Sequence, residues 1–308
     1  MLRRTYLGID IAANSMRAVA LHRGARTSAL IGARSSGCSE EEISLSVREP
    51  NIRHADRFIA RLQELLEPLA GKEDRIALSL PDAAGRILLT EVETPFKTRA
   101  EAVEILKWQL RSELPAELAD IQLDYQLLAR SESGLQRMVV ALMDRRVLDQ
   151  YQELVIDAGY QAVEIGFHSL NLYNFYRPRL DMGEDFALID IEDGFLHLAL
   201  FQEKNLVYHR FREVDEDPAR VFQEINRSLV GFPGSPSLLR RMGVYLHCPW
   251  KEADDVRDAV TSAFEKEPVN LDPHLERMTG GTLELDQARG LTLTAAIGAA
   301  EQMMRGRS

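Results

Sequence analysis

Two aspartates stand in matching surroundings, and both residue type and setting suit phosphate chemistry. Asp10 lies in YLGIDIAANSMRAVAL, residues 6–21, which reads as strand, tight turn, strand. Ala12, Ala13, Asn14 and Ser15 follow it through the turn. A carboxylate beside a turn of small residues can hold Mg²⁺ or a metal-bound water while the turn's N–H groups face phosphate oxygens. The plainer reading is a β-hairpin with a polar turn. The pattern returns in FALIDIEDGFLHLALF, residues 186–201, with Asp190 in the place of Asp10. Two such hairpins imply two related halves with a cleft between them.

Other chemistry-bearing residues offer less. His168 and His197 read as isolated residues, structural or exposed, and the histidines show no metal-ligand spacing. His247 beside Cys248 reads as a chance pairing on a strand end. Cys38 and Cys248 are the only cysteines, without a CxxC. That usage suits a reducing cytoplasm and excludes a cysteine-built zinc site. No metal centre is expected.

The 308 residues are enough for about two domains. Apolar residues make up 45%, so a full core can be buried. The net charge of −11 disfavours nucleic acid as a partner. No apolar signal core opens the chain, and no apolar run approaches ~20 residues, so no membrane span is expected.

Around the two hairpins the expected elements alternate. Residues 22–53 give one or two strands with loops. Residues 55–70 form an amphipathic helix with Phe58, Leu62, Leu65, Leu66 and Leu69 on one face and Gly71 closing it. RIALSL, residues 75–80, is a buried strand ended by Pro81, and residues 87–92 give another ended by Pro95. Residues 96–162 read as a unit of their own, in the order helix, strand, strand, helix. Thr98 and Glu101 form a capping box, and Asp144 caps the second helix. Trp108 falls off the buried stripe of Ala102, Ile105, Leu106 and Leu110, so it meets another subdomain, facing either a groove or the first half's core.

The paired hairpins resemble the actin-like fold of sugar kinases and actin. A more specific resemblance lies in LKWQLRSELPAELADIQLDYQLL, residues 106–128, which looks like a PilM-type protein, the actin-like cytoplasmic component of type IV pilus assembly. There a helix with an aromatic-bearing end leads through a proline turn into a Leu-Asp-Tyr strand. Trp108, Pro115, Leu123, Asp124, Tyr125 and Gln126 stand in those positions. The resemblance runs on through residues 144–159 to VEIGFHSLNLYNFY, taken as a helix. It implies an α/β, actin-like (ribonuclease H-like, duplicated) fold. Residues 1–182 form the first half, with the inserted helix-strand-strand-helix subdomain at 96–162. Residues 183–308 form a reduced second half.

The chain also departs from that family. Ala12 and Glu192 stand where glycine usually follows each Asp-Ile. Ala tolerates positive φ poorly, and its Cβ narrows the approach to a phosphate. A second carboxylate about 4 Å from a phosphate charge would repel it by roughly 4 kcal/mol at an effective dielectric of ~20. REVDEDPARV replaces the usual Gly-Gly pair, and the helix at 224–229 follows too soon for the family's helical insert. His247, Cys248, Pro249 and Trp250 replace a glycine-rich adenosine loop. Gly298, in the last helix, keeps the small-residue character of that site but equally serves close helix packing.

A phosphoryl-transfer enzyme needs a metal carboxylate, a phosphate cradle and a positioned nucleophile. Asp10 and Asp190 supply the first, with Asn14, Ser15 and Gly298 as vestiges of a nucleotide site, and no nucleophile stands out. The expected function is non-catalytic recruitment, with no cofactor. By resemblance, the partner is the cytoplasmic N-terminal peptide of a PilN-like inner-membrane protein, taken in a groove near Trp108 and Tyr125. The protein would then sit in the cytoplasm, peripheral to the inner membrane, among other pilus or secretion components. The cytoplasmic part of the type II secretion L subunit is a similar case. The alternatives are an ATP- and Mg-binding actin-like switch or ATPase, and an actin-like filament former.

Overall fold

A computed structural model describes residues 4–24, 28–39, 41–93, 96–114, 117–130, 134–280, 283 and 285–306. The expected strand and helix stops at Pro95 and Pro115 lie outside these residues.

The first half begins with β1 (Thr5–Ile11), β2 (Ser15–His22) and β3 (Ala29–Gly37), an antiparallel meander. Then come α1 (Ala55–Ala70) and β4 (Arg75–Leu80), which lies parallel to β1. β1 is buried from Tyr6 to Ile11, as a central strand covered on both sides must be. α1 turns Phe58, Leu62, Leu65 and Leu66 inward, and Gly71, at φ +60°, ends it.

The chain then leaves this sheet to build a smaller one from β5 (Arg86–Val92), α2 (Arg99–Gln109), β6 (Ile121–Arg130) and β7 (Gln136–Asp144). Strand order is β5-β7-β6, so β6 is an edge. Thr98 caps α2 by accepting from the Glu101 N–H at 3.1 Å. Leu106 and Leu110 pack on Ile121, Leu123, Met138 and Val140. The chain returns through α3 (Arg145–Asp157), capped by Asp144, then β8 (Gln161–Phe167) beside β4, and α4 (His168–Tyr176). Sheet order in the first half is β3-β2-β1-β4-β8.

The second half repeats the plan with β9 (Phe186–Glu192), β10 (Phe195–Gln202), β11 (Asn205–Glu213), α5 (Pro218–Val230), α6 (Pro236–Arg241), β12 (Gly243–His247), α7 (Ala253–Phe264) and β13 (Val269–Asn270). Its sheet runs β11-β10-β9-β12-β13. Both sheets read antiparallel, antiparallel, parallel, parallel from the meander edge. That is the duplication implied by the two hairpins. Only residues 214–217 separate β11 from α5, so no helical insert stands between them. α8 (Glu276–Thr279), α9 (Gln287–Thr292) and α10 (Thr294–Arg305) complete the chain.

Three boundaries differ from the sequence expectation. The small sheet includes β5, which lies before residue 96. α3 belongs to the first core, because Val147, Tyr151, Leu154 and Val155 pack with Phe58 and Leu62 of α1. α10 belongs with the first half, where Ala296, Ile297 and Ala300 pack with Leu172 and Phe175 of α4 and Ala77 of β4. A Cβ on Gly8 would sit 2.1 Å from the Ala296 carbonyl oxygen, which sets how closely β1 and α10 approach.

VEIGFHSLNLYNFY is not one helix. Its first five residues finish β8, and α4 begins at His168. Pairing with β4 holds the first part extended, and the break places His168 at a helix start beside the second half.

Candidate functional site

The β-strand registers build the site. Asp10 lies opposite Arg17 of β2 and beside Ser79 of β4. Asp190 lies opposite His197 of β10 and beside His247 of β12. Arg17 therefore corresponds to His197, and Ser79 to His247, across the duplication. All six side chains are buried.

Arg17 crosses the crevice between the halves. Its Nη1 donates to Asp10 Oδ2 at 3.2 Å and lies 3.1 Å from Glu192 Oε1, while Nη2 donates to Asp193 Oδ1 at 2.8 Å. Asp193, at φ +54°, and Gly194, at φ +83°, form the tight turn that aims the Asp193 carboxylate back at Arg17. Burial disfavours the guanidinium charge, but Glu192, Asp193 and Asp10 outweigh it and raise the pKa. Burial also opposes charge on Asp10. His168 and Arg17 nonetheless hold its carboxyl below the ordinary aspartate range.

His168 stands on the same crevice. Its Nδ1 is 3.0 Å from Asp10 Oδ1, and its Nε2 is 3.6 Å from Asp190 Oδ2 and 3.7 Å from Glu192 Oε2. His247 Nε2 is 3.3 Å from Glu192 Oε2. On the far side of that ring, Nδ1 is 2.9 Å from the Tyr176 hydroxyl. The reading of His168 and His197 as isolated is thus corrected: their rings stack at 6.1 Å. The pairing of His247 with its chain neighbour Cys248 is incidental, whereas its place beside Asp190 is not. Strand-end position in the second sheet is the signal that finds His247, once β12 is registered on β9.

The remaining sequence candidates scatter. Asn14 is exposed on the turn, and its carbonyl accepts from the Cys38 N–H. Ser15 is half-buried. The Ala12 N–H is spent inside the turn on the Ser15 carbonyl at 2.9 Å, so it does not face the crevice as a phosphate donor. Gly298 serves helix packing, since a Cβ there would sit 2.0 Å from the Asn171 carbonyl oxygen. The space at the hairpin turns is about 20 Å³, room for about one water molecule, and a cavity of about 230 Å³ reaches Asp190 and His197 from the other side. Arg17 and Glu192 meet in the space between the hairpin turns.

A second feature is a groove of about 440 Å³ between the small sheet and the first half. Alternation along β6 and β7 turns Gln122, Asp124, Gln126, Val139, Ala141 and Met143 toward it. Leu148, Ile165, Phe167 and Leu170 line the other wall. Tyr125 borders the groove through its strand, while its ring packs on the α2 side, 6.0 Å from Phe96. Trp108 does not line this groove. It is 63% exposed on α2, with the Arg111 guanidinium 4.5 Å over its ring, so neither the groove nor the first half's core receives it.

No helix among the described residues is long and apolar enough to cross a membrane. The family described as "Type IV pilus assembly protein PilM" matches residues 8–227. Among solved structures, the chain is similar to a PilM–PilN type IV pilus biogenesis complex at 16% identity and TM-score 0.79, covering 98% of this chain and 99% of that one. It is similar to the cytoplasmic domain of EpsL, an inner membrane component of the type II secretion system of Vibrio cholerae. That match has 11% identity and TM-score 0.53, over 96% of this chain and 95% of that one. A Bacteroides thetaiotaomicron protein with an actin-like ATPase fold gives 11% identity and TM-score 0.51, over 87% and 91%. These likenesses make the fold actin-like. No curated protein sequence matches.

Proposed function

The chain belongs to the type IV pilus assembly protein PilM family, and we propose that within pilus assembly it recruits a PilN-like inner-membrane protein by holding that protein's cytoplasmic N-terminal peptide. The observation that carries this reading is the groove beside β6. β6 pairs only with β7 among the described strands, so its outer edge keeps backbone donors and acceptors for an extended peptide. Val139, Ala141, Met143, Ile165, Phe167 and Leu170 supply apolar walls for alternate side chains. Held this way, the protein sits at the cytoplasmic face of the inner membrane through its partner. Other pilus or secretion components would dock elsewhere on the same scaffold. Trp108 is a candidate for one of those contacts, because it is exposed away from the groove.

Recruitment in this reading needs no nucleotide. The Arg17 bridge and the small crevice support that part, and they weigh against the ATP-driven switch or ATPase. The test is fluorescence polarisation with a labelled N-terminal peptide of a PilN-like protein encoded beside this chain. Saturable binding is expected, weakened at least tenfold by Ala141→Trp, which fills the groove. Equal binding to that variant, or none to the unaltered protein, overturns the reading.

A further inference from the structure

We propose that the crevice between the halves binds one divalent transition-metal ion through His168 Nε2, Asp190 and Glu192. The argument starts from unpartnered atoms. Asp190 is 2% exposed, yet neither of its carboxylate oxygens has a hydrogen-bond partner among the described residues. His168 Nε2 is buried and equally without one. Buried charges of this kind are paired or coordinate metals.

Three donor atoms have the spacing of a metal site. His168 Nε2 stands 3.6 Å from Asp190 Oδ2 and 3.7 Å from Glu192 Oε2, and His247 Nε2 stands 3.3 Å from Glu192 Oε2 and 4.0 Å from Asp190 Oδ1. Ligands at ~2.0–2.1 Å around a tetrahedral ion lie about 3.4 Å apart, so His168 Nε2 stands within tenths of an ångström of that spacing from both carboxylates. One donor from each of His168, Asp190 and Glu192 already falls within 4.8 Å of the others.

The far side of the His168 imidazole is arranged for the same purpose. Ligating histidines commonly donate their other ring N–H to a carboxylate or another oxygen. Asp10 receives that bond from His168 Nδ1. An ionised carboxylate only accepts, so Nδ1 of His168 carries the hydrogen and Nε2 is left for a metal or a second proton. The charge balance agrees. Among the described residues, Asp10, Glu192 and Asp193 share one permanent cation, Arg17, and Asp190 meets none.

An imidazole with two carboxylates suits Zn²⁺ or a similar first-row ion better than Mg²⁺ or Ca²⁺, which take oxygen ligands. Three protein ligands leave the fourth position to a water molecule. The ion would tie α4 of the first half to β9 of the second. The neighbouring group of Asp82, His197 and His209 is a poorer candidate. Asp82 already accepts two bonds from Ser169, and its nearest approach to His197 Nδ1 is 3.8 Å.

The test uses full-length, tag-free protein stripped with a chelator and titrated with Zn²⁺ and, separately, Co²⁺. One equivalent of Zn²⁺ is expected to bind tightly and raise the melting temperature, with millimolar Mg²⁺ neither binding nor competing. Co²⁺ is expected to give the strong visible absorption of a tetrahedral site. Asp190→Asn and Glu192→Gln, which keep side-chain shape, should each weaken Zn²⁺ binding at least tenfold. His197→Ala should retain one equivalent. Absence of Zn²⁺ binding, no melting shift, or a weak octahedral Co²⁺ spectrum in the unaltered protein overturns the proposal whether or not the variants fold. Binding lost in His197→Ala but kept in Glu192→Gln overturns it too, by moving the ion to Asp82, His197 and His209.

Discussion

Arg17 and Asp193 meet at 2.8 Å although 176 positions separate them in the chain. One belongs to the first hairpin and the other to the second, and their contact bridges the crevice between the halves. The guanidinium also meets Asp10 and Glu192, so a single side chain serves three carboxylates, two of them buried.

Removing Arg17 should therefore be costly. Arg17→Met keeps the apolar stem but leaves Asp10, Glu192 and Asp193 without their cation. Breaking a buried ion pair by deleting one partner costs about 3–5 kcal/mol. Urea unfolding followed by circular dichroism checks this; a loss below about 1 kcal/mol would show that the carboxylates find another counter-charge.

Nucleotide should bind feebly at best. Isothermal titration of the unaltered protein with Mg-ATP is expected to give no saturable heat at concentrations up to about 1 mM, where binding would amount to roughly −4 kcal/mol. A low-micromolar dissociation constant would mean that the Arg17 bridge opens easily, and the scaffold reading would have to yield to a switch.

Gly298→Ala should destabilise by about 1–3 kcal/mol, the usual cost of overpacking. Its new methyl would have to displace the Asn171 backbone of α4. Thermal melting decides the matter. A neutral effect would deny that α10 and α4 are in close contact and would return Gly298 to the list of ligand-site candidates.

Trp108→Ala should leave folding almost untouched, within about 0.5 kcal/mol, as exposed substitutions generally do. It should also leave groove binding of the PilN-like peptide unchanged, since Trp108 does not line that groove. Weakened peptide binding without a change in melting would show that the peptide continues beyond the groove onto α2.

The duplicated plan was legible from residues 9–11 and 189–191 because β-strand alternation and a short turn leave a local signature. Asp10 and Asp190 were found for the same reason. The caps at Thr98 and Asp144 and the stop at Gly71 were legible because they act within a few residues. What sequence hid was lateral. Arg17, His197 and His247 join the site through strand register, and His168 through a helix start that looked continuous with the strand before it. None of these has a spacing from the aspartates that means anything until the sheets are assembled. Tyr125 shows the same limit on a smaller scale: its strand borders the groove, but pleat parity turns its ring to the other side.

The seat of α10 on β1 carries a consequence for synthesis. Gly8 emerges from the ribosome near the beginning and Ala296 near the end of the residues described, yet their backbones pack together. At about 5–20 residues per second, the first sheet waits roughly 15–60 s for the helix that covers it. During that interval the apolar surface later covered by Ala296, Ile297 and Ala300 stays bare on the nascent chain, and a chaperone has something to hold.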